Sequence, residues 1–318
     1  MKVSVVTPNF NGEKFLKDYF DSLNLNSKYI GEVIMVDNGS SDNSVEFIKK
    51  YPKDFDFKLI ENKENLGFAK ATNQAIEASK YPYVFSLNND VKLESDTIEE
   101  LLKLIKTDER IFSLSSKMIQ MDYPNLIDDA GDSYTLLAYT QKIGDNKPSS
   151  EFNEVCEVFS SCAGAALYRK SILDEIGLFD ENFFAYMEDV DLSYRAKING
   201  YRNVYCPKAI VYHKGSGTSG SRYNEFKIRL AARNNVWVVY KNLPIPQKIL
   251  NIGFLILGFL IKYLFFKRKG YGDIYLKGLR EGLDNKEKIN KVKFKSKNIK
   301  NYFKIEGQLI KNTFKLLK

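Results

Sequence analysis

The 318-residue sequence predicts an α/β fold, a mostly parallel central sheet flanked by helices and followed by a basic, partly apolar tail. Three observations carry this. Over the first 110 residues, short β-branched runs alternate with stretches of helical periodicity. The apolar runs end in polar residues, most plainly in "VFSLNNDV" at 84–91. The charge is also divided. From Lys241 onward there are 19 Lys+Arg against 5 Asp+Glu, and before it 29 against 35, so a mildly acidic body carries a strongly basic tail.

"VSVVTP" reads as the first strand, and "GEKFLKDYFDSL" as a helix with Phe15, Leu16, Tyr19, Phe20 and Leu23 on one face. "EVIMVDN" is a second strand, followed by "SDNSVEFIKKY" behind a Ser/Asp cap. "FKLIEN" precedes the Ala-rich "GFAKATNQAIEAS". "YVFSLNND" precedes "SDTIEELLKLI", whose Asp96 and Glu99 have capping-box spacing. Such alternation with short links gives a mostly parallel sheet with helices on both faces. These sheets bind ligands outside the carboxyl ends of their strands. Thr7 to Asn11, Asp37 with Asn38, and Asn88 to Asp90 are therefore expected along one edge, although any one such cluster is an ordinary turn about as often.

From 111 to 240 the pattern is less regular. It runs through "FSLSSKMI", a polar loop around "DDAGDS", "SSCAGAALYRKS", "FFAYMEDVDLSYRAKINGY", the strand-like "NVYCPKAIVYHK", a Gly/Ser loop and a helix, "RYNEFKIRLAARNNVWVVY". Pro244 and Pro246 mark the passage to the tail. The expected division is a domain over 1–240, with a nucleotide-binding half (1–110) and an acceptor and catalytic half (111–240), and a tail over 241–318. A composition 44% hydrophobic and 28% charged is that of a folded chain. Cys156, Cys162 and Cys206 fit no zinc spacing and are expected as buried thiols in a reducing compartment. The N-terminus carries no signal-peptide pattern, so the body is expected in the cytosol.

An aspartate behind two asparagines at a sheet edge, Asp90, suits a divalent cation bridging a nucleotide diphosphate, because Mg²⁺ and Mn²⁺ take oxygen ligands from one or two carboxylates plus phosphates. Asp37 is placed to hydrogen-bond a base or ribose. In "YMEDVDLSYR", three carboxylates fall in four residues. Helix-dipole capping accounts for Glu188 or Asp191, but acids behind the apolar "NFFAYM" can also sit in a cleft and act as a general base. His213, the chain's one histidine, ends a strand before a Gly/Ser loop. A lone histidine is more often structural, yet here it can offer imidazole to a metal. "GSGTSG", Gly215 to Gly220, matches the dinucleotide fingerprint but lies far from the first strand, and position 240 is Tyr. A dehydrogenase is excluded, and a lid over a diphosphate is the better use of those glycines.

The ordered series "VVTPNFN", "VDNGSSD", "ENLGFAKATNQAI", "LNNDV", "CAGAALYRKS", "FFAYMEDVDLSYRAKINGY" and "VYHKGSG" resembles the family 2 glycosyltransferases of the GT-A fold, and most closely their rhamnosyltransferase-like branch. The likeness covers about 1–240. It implies inverting transfer of a sugar from a nucleotide-diphosphate donor. Thr7, Pro8, Asn9 and Asn11 would then line the nucleotide pocket, with Asp37 and Asn38 at the base and Gly67, Phe68, Lys70 and Asn73 on the next wall. Asp90 would bind Mg²⁺ or Mn²⁺ beside Asn89, and His213 would lie near metal and diphosphate. Asn88, Gly164 and Glu188 would lie near donor and acceptor sugars, and Asp189 would be the base. The chain departs from the family in having N-N-D where many members have an earlier acid, and in lacking Q-x-x-R-W, which implies non-processive transfer. A nucleotidyltransferase would want a Gly-rich, Arg/Lys-containing loop in place of "TPNFNG". A non-catalytic binding protein of the same fold is the other alternative. A dTDP-rhamnose donor is implied by the branch, with UDP-hexoses open.

"ILNIGFLILGFLIKYLFF", 249–266, is the most apolar stretch but carries Asn251 and Lys262, and a span needs about 20 apolar residues. An interfacial segment is expected, with "KRKGY" and "KVKFKSKNIK" on anionic lipid. A true span and a buried or dimerising helix are the alternatives. Nothing resembles a nucleic-acid-binding module, and the acidic body would repel phosphate backbone. A lipid-linked or oligosaccharide acceptor on the inner face of the cell membrane is the expected partner.

Overall fold

The structure is a computed structural model describing residues 1–215 and 223–316. Strands Val3–Asn9 (β1), Ile30–Asp37 (β2), Asp56–Glu61 (β3) and Tyr83–Leu87 (β4) run parallel in the order β4-β1-β2-β3. Side chains alternate between two apolar faces, as a doubly covered sheet requires. Val5, Val33, Met35 and Phe85 pack against helices Glu13–Leu25 (α1) and Ser44–Lys50 (α2). Val6, Ile34, Val36 and Val84 face helix Phe68–Ala78 (α3) on the other side.

After the short strand Val91–Leu93 (β5), helix Thr97–Ile105 (α4) joins the α1 face. The expected capping box does not form. Asp96 makes no capping hydrogen bond, and Glu99 pairs with Lys103 instead (2.9 Å). The turn is anchored across the fold, where the Thr97 hydroxyl donates to the Ile210 carbonyl.

The second half is mixed rather than mostly parallel. Ile111–Gln120 (β6) pairs antiparallel with Ile127–Asp129 (β7), and Asp132–Tyr134 (β8) with Thr140–Lys142 (β9) forms a separate ribbon. Cys156–Val158 (β10) is an edge strand. Ala165–Arg169 (β11) is antiparallel to both β4 and β6, whereas Arg202–His213 (β12) is parallel to β6. Two placements follow. The entry to β11 lies beside the carboxyl end of β4, with the Asn88 amide on the Gly164 carbonyl (2.9 Å). The end of β12 pairs with β5, setting His213 opposite Val91 and next to Asp90. Helices Lys170–Ile176 (α5) and Glu188–Ile198 (α6) complete the α3 face. The thiols are not uniformly buried. Cys206 is, but Cys156 on edge strand β10 is exposed.

Helices Glu225–Asn242 (α7), Ile245–Arg268 (α8), Gly272–Asp284 (α9) and Ile299–Leu316 (α10) follow. The expected division at 240 is not a packing boundary. Leu255, Tyr302, Ile305 and Leu309 share one core with Tyr134, Phe159, Phe183 and Tyr194 of the body. Gly278 of α9 lies so close to α7 that a Cβ there would sit 2.4 Å from the Arg229 carbonyl. The charge step in the sequence reports the solvent side of these helices, while their apolar sides close the core. Most of "GSGTSG" and the lid expected of it lie outside the described residues.

Candidate active site

The polar ends of β1, β2 and β4 meet. Asn9 Nδ2 donates to Asp37 Oδ2 (2.8 Å), and Asn89 Nδ2 donates to Asn9 Oδ1 (2.6 Å). Asp37 also accepts from the Ser40 amide and hydroxyl (2.9 and 2.6 Å). Asn11 turns the chain with φ 49° and accepts from the Ser41 amide (2.8 Å). Gly12 is dictated by this row, since a Cβ there would lie 2.0 Å from Asn89 Nδ2. Pro8 continues β1 half-buried, in register with Val36. Asn38 binds Asn62, Asn65, Leu66 and Gly67, folding the segment that leads into α3.

Two residues expected in the pocket are committed elsewhere. Thr7 is fully buried with its hydroxyl on Tyr19, and Asn73 clamps the Phe179 backbone through both ends of its amide (2.9 and 3.1 Å). Gly67 has φ 89° and contacts Phe184, which a Cβ would approach to 2.6 Å. Phe68 stacks edge-on against Phe179, and Lys70 lies 3.6 Å from Glu181. This wall therefore joins α3 to the segment entering α6.

Asp90 is buried and its Oδ1 accepts no hydrogen bond. His213 Nε2 faces it at 3.5 Å, while Nδ1 lies 2.8 Å from Asp128 Oδ2. Asp128 is in turn held by Lys142 Nζ (2.9 Å). Burial pulls the imidazole pKa down, but the bond to Asp128 and the neighbouring Asp90 carboxylate outweigh it and push His213 up to about 9. Asp128 is held below the usual carboxylate range: burial opposes this, and His213 and Lys142 prevail. Among the described residues no three His, Cys, Asp or Glu side chains form a metal cluster. An orphaned carboxylate oxygen facing an imidazole whose other nitrogen is fixed by an acid nevertheless fits a divalent cation completed by substrate phosphates.

The three acids opening α6 have separate fates. Asp191 is fully buried and paired with Arg195 (3.0 Å) and Lys241 (2.9 Å), so it is structural. Glu188 is buried with Oε2 unpartnered, and burial pushes it well up. Asp189 is half-buried. Its Oδ1 accepts the Val190 amide (2.8 Å) and its Oδ2 the Ala163 amide (3.3 Å). Burial raises its pKa despite these amides and the attraction of Lys142. Asp129 and Asp132 feel its charge: burial first, and repulsion within this acid group, push Asp129 up to about 7 and Asp132 well up.

A short chain of contacts joins the Asp189 side of the site to the Asp90 side. Ala163, bonded to Asp189, precedes Gly164, whose carbonyl holds Asn88, two residues before Asp90. Lys142 links the same two sides, attracting Asp189 while bonded to Asp128 behind His213.

The segment before α6 is strained, with Phe184, Tyr186 and Met187 at φ 64°, 70° and 71°. Asn234 of α7 holds it, its Nδ2 donating to the carbonyls of Phe183, Ala185 and Tyr186 (2.9, 2.9 and 2.7 Å). Sequence reasoning missed Asp128, Lys142 and Asn234. The acids of "DDAGDS" were a visible signal for Asp128; an asparagine inside a helix gave none for Asn234.

Comparison with known proteins agrees with this architecture. A poly-beta-1,6-N-acetyl-D-glucosamine synthase of Staphylococcus aureus is 27% identical over 206 residues, 61% of this chain and 45% of that protein, so the chain spans about half the length of the curated relatives it matches. Among solved structures, S. aureus TarS 1–349 in complex with UDP-GlcNAc superposes with TM-score 0.60 at 19% identity, covering 96% of this chain and 91% of that one. The mannosyltransferase PcManGT from Pyrobaculum calidifontis, in complex with GDP-Man and Mn²⁺, gives TM-score 0.57 at 14% identity, covering 99% and 87%. These likenesses show the fold, which is GT-A. The model of the family "Glycosyl transferase family 2" matches residues 4–177, more than half of the chain, and the protein belongs to that family.

Proposed function

We propose that the protein is an inverting, non-processive glycosyltransferase that moves a sugar from a nucleotide-diphosphate donor to a lipid-linked or oligosaccharide acceptor in cell-surface glycan synthesis. The observation that supports this reading is the contact chain from Asp189 through Ala163 and Gly164 to Asn88 and Asp90, which links a base candidate to a metal candidate. Asp37, Asn9 and Asn89 form a hydrogen-bonding row along the adjoining edge, suited to the base and ribose of the donor.

Asp189, oriented by the Ala163 and Val190 amides, accepts the proton of an acceptor hydroxyl. That oxygen bonds to the anomeric carbon as the bond to the diphosphate breaks on the opposite face, and the diphosphate leaves with the electron pair. Asp90 and His213 would hold a divalent cation, which would supply charge stabilisation for the departing diphosphate. The raised pKa of Asp189 strengthens it as a base near neutral pH.

The relative's name supports an N-acetylhexosamine, so a UDP-linked N-acetylhexosamine heads the donor list, with dTDP-rhamnose second. An anionic membrane surface on the cytosolic side, where lipid-linked acceptors are found, fits the basic tail. A panel of UDP-, dTDP- and GDP-sugars with Mn²⁺ or Mg²⁺, read by thermal shift and by release of nucleotide diphosphate, tests the reading. Metal-dependent donor turnover lost in Asp189→Asn supports it. Donor binding with no turnover under any condition would identify a non-catalytic binding protein instead.

A further inference from the structure

From Ile249 to Leu264 the face of α8 turned away from the body is apolar. Ile249, Leu250, Ile256, Leu257, Leu260 and Leu264 are all exposed, Ile249 at 69% and Ile256 at 62%, and no charged residue falls among them. The opposite face is bound to the protein at nearly every turn. Gln247 and Asn251 donate to Glu306 of α10 (both 3.1 Å), and Gly258 packs so tightly that a Cβ would lie 2.0 Å from the Leu137 carbonyl. Tyr139 donates to the Gly258 carbonyl (3.0 Å), and Lys262 lies 4.5 Å above the Tyr139 ring. From Gln247 to Lys262 this anchored stripe is about 22 Å long. Crossing a bilayer would strip it from the body and leave Asn251, Lys262 and Glu306 as unpaired polar groups.

α10 extends the apolar face and supplies a charge beside it. Phe303, Ile310 and Phe314 are exposed at 72%, 40% and 64%, and their spacings of seven and four residues align them on one side of the helix. They fall on the flank of Glu306, which faces α8. The other flank is tied to the body by Asn301 on the Ile198 carbonyl and Asn312 on the Tyr134 carbonyl (3.0 and 2.9 Å). Lys304, Lys311 and Lys315 each follow one of these apolar residues, making an exposed basic stripe parallel to the apolar one.

We propose that α8 and α10 together form a monotopic docking surface for anionic lipid, with α8 lying in the plane of the bilayer surface and the lysine stripe of α10 on the headgroups. The inference deepens the membrane reading above and does not depend on the transfer chemistry. The apolar strip beside a parallel cationic rim matches an acyl and headgroup boundary, whereas a second copy of the chain would bring the two cationic rims together.

The full chain is tested on vesicles with and without anionic lipid, together with Phe303→Ser/Ile310→Ser/Phe314→Ser and Lys304→Gln/Lys311→Gln/Lys315→Gln. Each triple is expected to weaken flotation on anionic vesicles roughly tenfold or more with unchanged melting temperature. Depth is read separately from single Ile249→Trp, Leu257→Trp and Leu264→Trp variants quenched by lipids brominated at different depths. Equal depth at all three positions is expected. Flotation with Leu257→Trp deeper than Ile249→Trp and Leu264→Trp by about 11 Å, the rise of seven to eight helical residues, would mean a span and overturn the in-plane geometry while leaving membrane binding intact. Absence of flotation, or a dimer in solution that the apolar triple dissociates, overturns the lipid surface itself.

Discussion

Replacing Asn234 by alanine removes one buried amide group that donates to three backbone carbonyls at 2.9, 2.9 and 2.7 Å. Its two N–H groups, shared among the three acceptors at a net ~0.5–1.5 kcal/mol each, give a loss of about 1–3 kcal/mol. The segment it holds contains three non-glycine residues at positive φ, each carrying ~1–3 kcal/mol of strain that persists only while the surroundings enforce it. Met187, the last of them, is the residue immediately before Glu188 and Asp189, so relaxation there swings the first turn of α6. A displacement of the base by about 1 Å is enough for a ~10²-fold loss of rate. The expected result is turnover reduced ~10–100-fold, a donor KM within about threefold of the parent, and a lower melting temperature. The assay is steady-state nucleotide release over a donor series, with melting followed in parallel. A variant that melts lower yet turns over normally would show that Asn234 stabilises the fold without positioning Asp189.

Asp189→Asn should lower turnover by ~10²–10⁴ with donor affinity retained by calorimetry; near-normal turnover removes Asp189 from the role of base. Asp128→Asn should weaken Mn²⁺ dependence ~10–100-fold, because it loosens the imidazole that faces Asp90; a metal titration superimposable on the parent's would contradict this. Asp129 is raised to about 7 by burial, so its contribution to stability is full below its ordinary pKa of 3.8 and is lost as pH rises through about 7. Asp129→Asn should then gain on the order of 4 kcal/mol against the parent at pH 8 and little at pH 4, measured by urea unfolding.

The parallel half of the fold was legible because its signals are local. Alternation of Val, Ile and Phe along β1, β2 and β4 dictates a sheet covered on both faces, and the polar residues ending those strands announce the edge where Asn9, Asp37 and Asn89 meet. The sequence signalled less where pairing joins distant segments. The antiparallel insertion of β11 between β4 and β6, which brings Gly164 to Asn88, rests on contacts between residues more than fifty apart that no periodicity encodes. Thr7 shows the limit within a motif, since its position in the strand was readable but its hydroxyl turns to Tyr19 in the core.

By itself the sequence determined the element types of the parallel half, the acidic body and basic tail, and the chemical kinds of residue at the candidate site. These follow from side-chain size, β-branching and charge, which act within a turn or a strand. Tertiary structure alone decided that Asp128 and Lys142 stand behind His213, that Asn234 braces the approach to Asp189, and that the tail helices close the body's core rather than hang from it. Each depends on which buried polar atom finds a partner across the fold, a condition set by packing and not by neighbours in the chain.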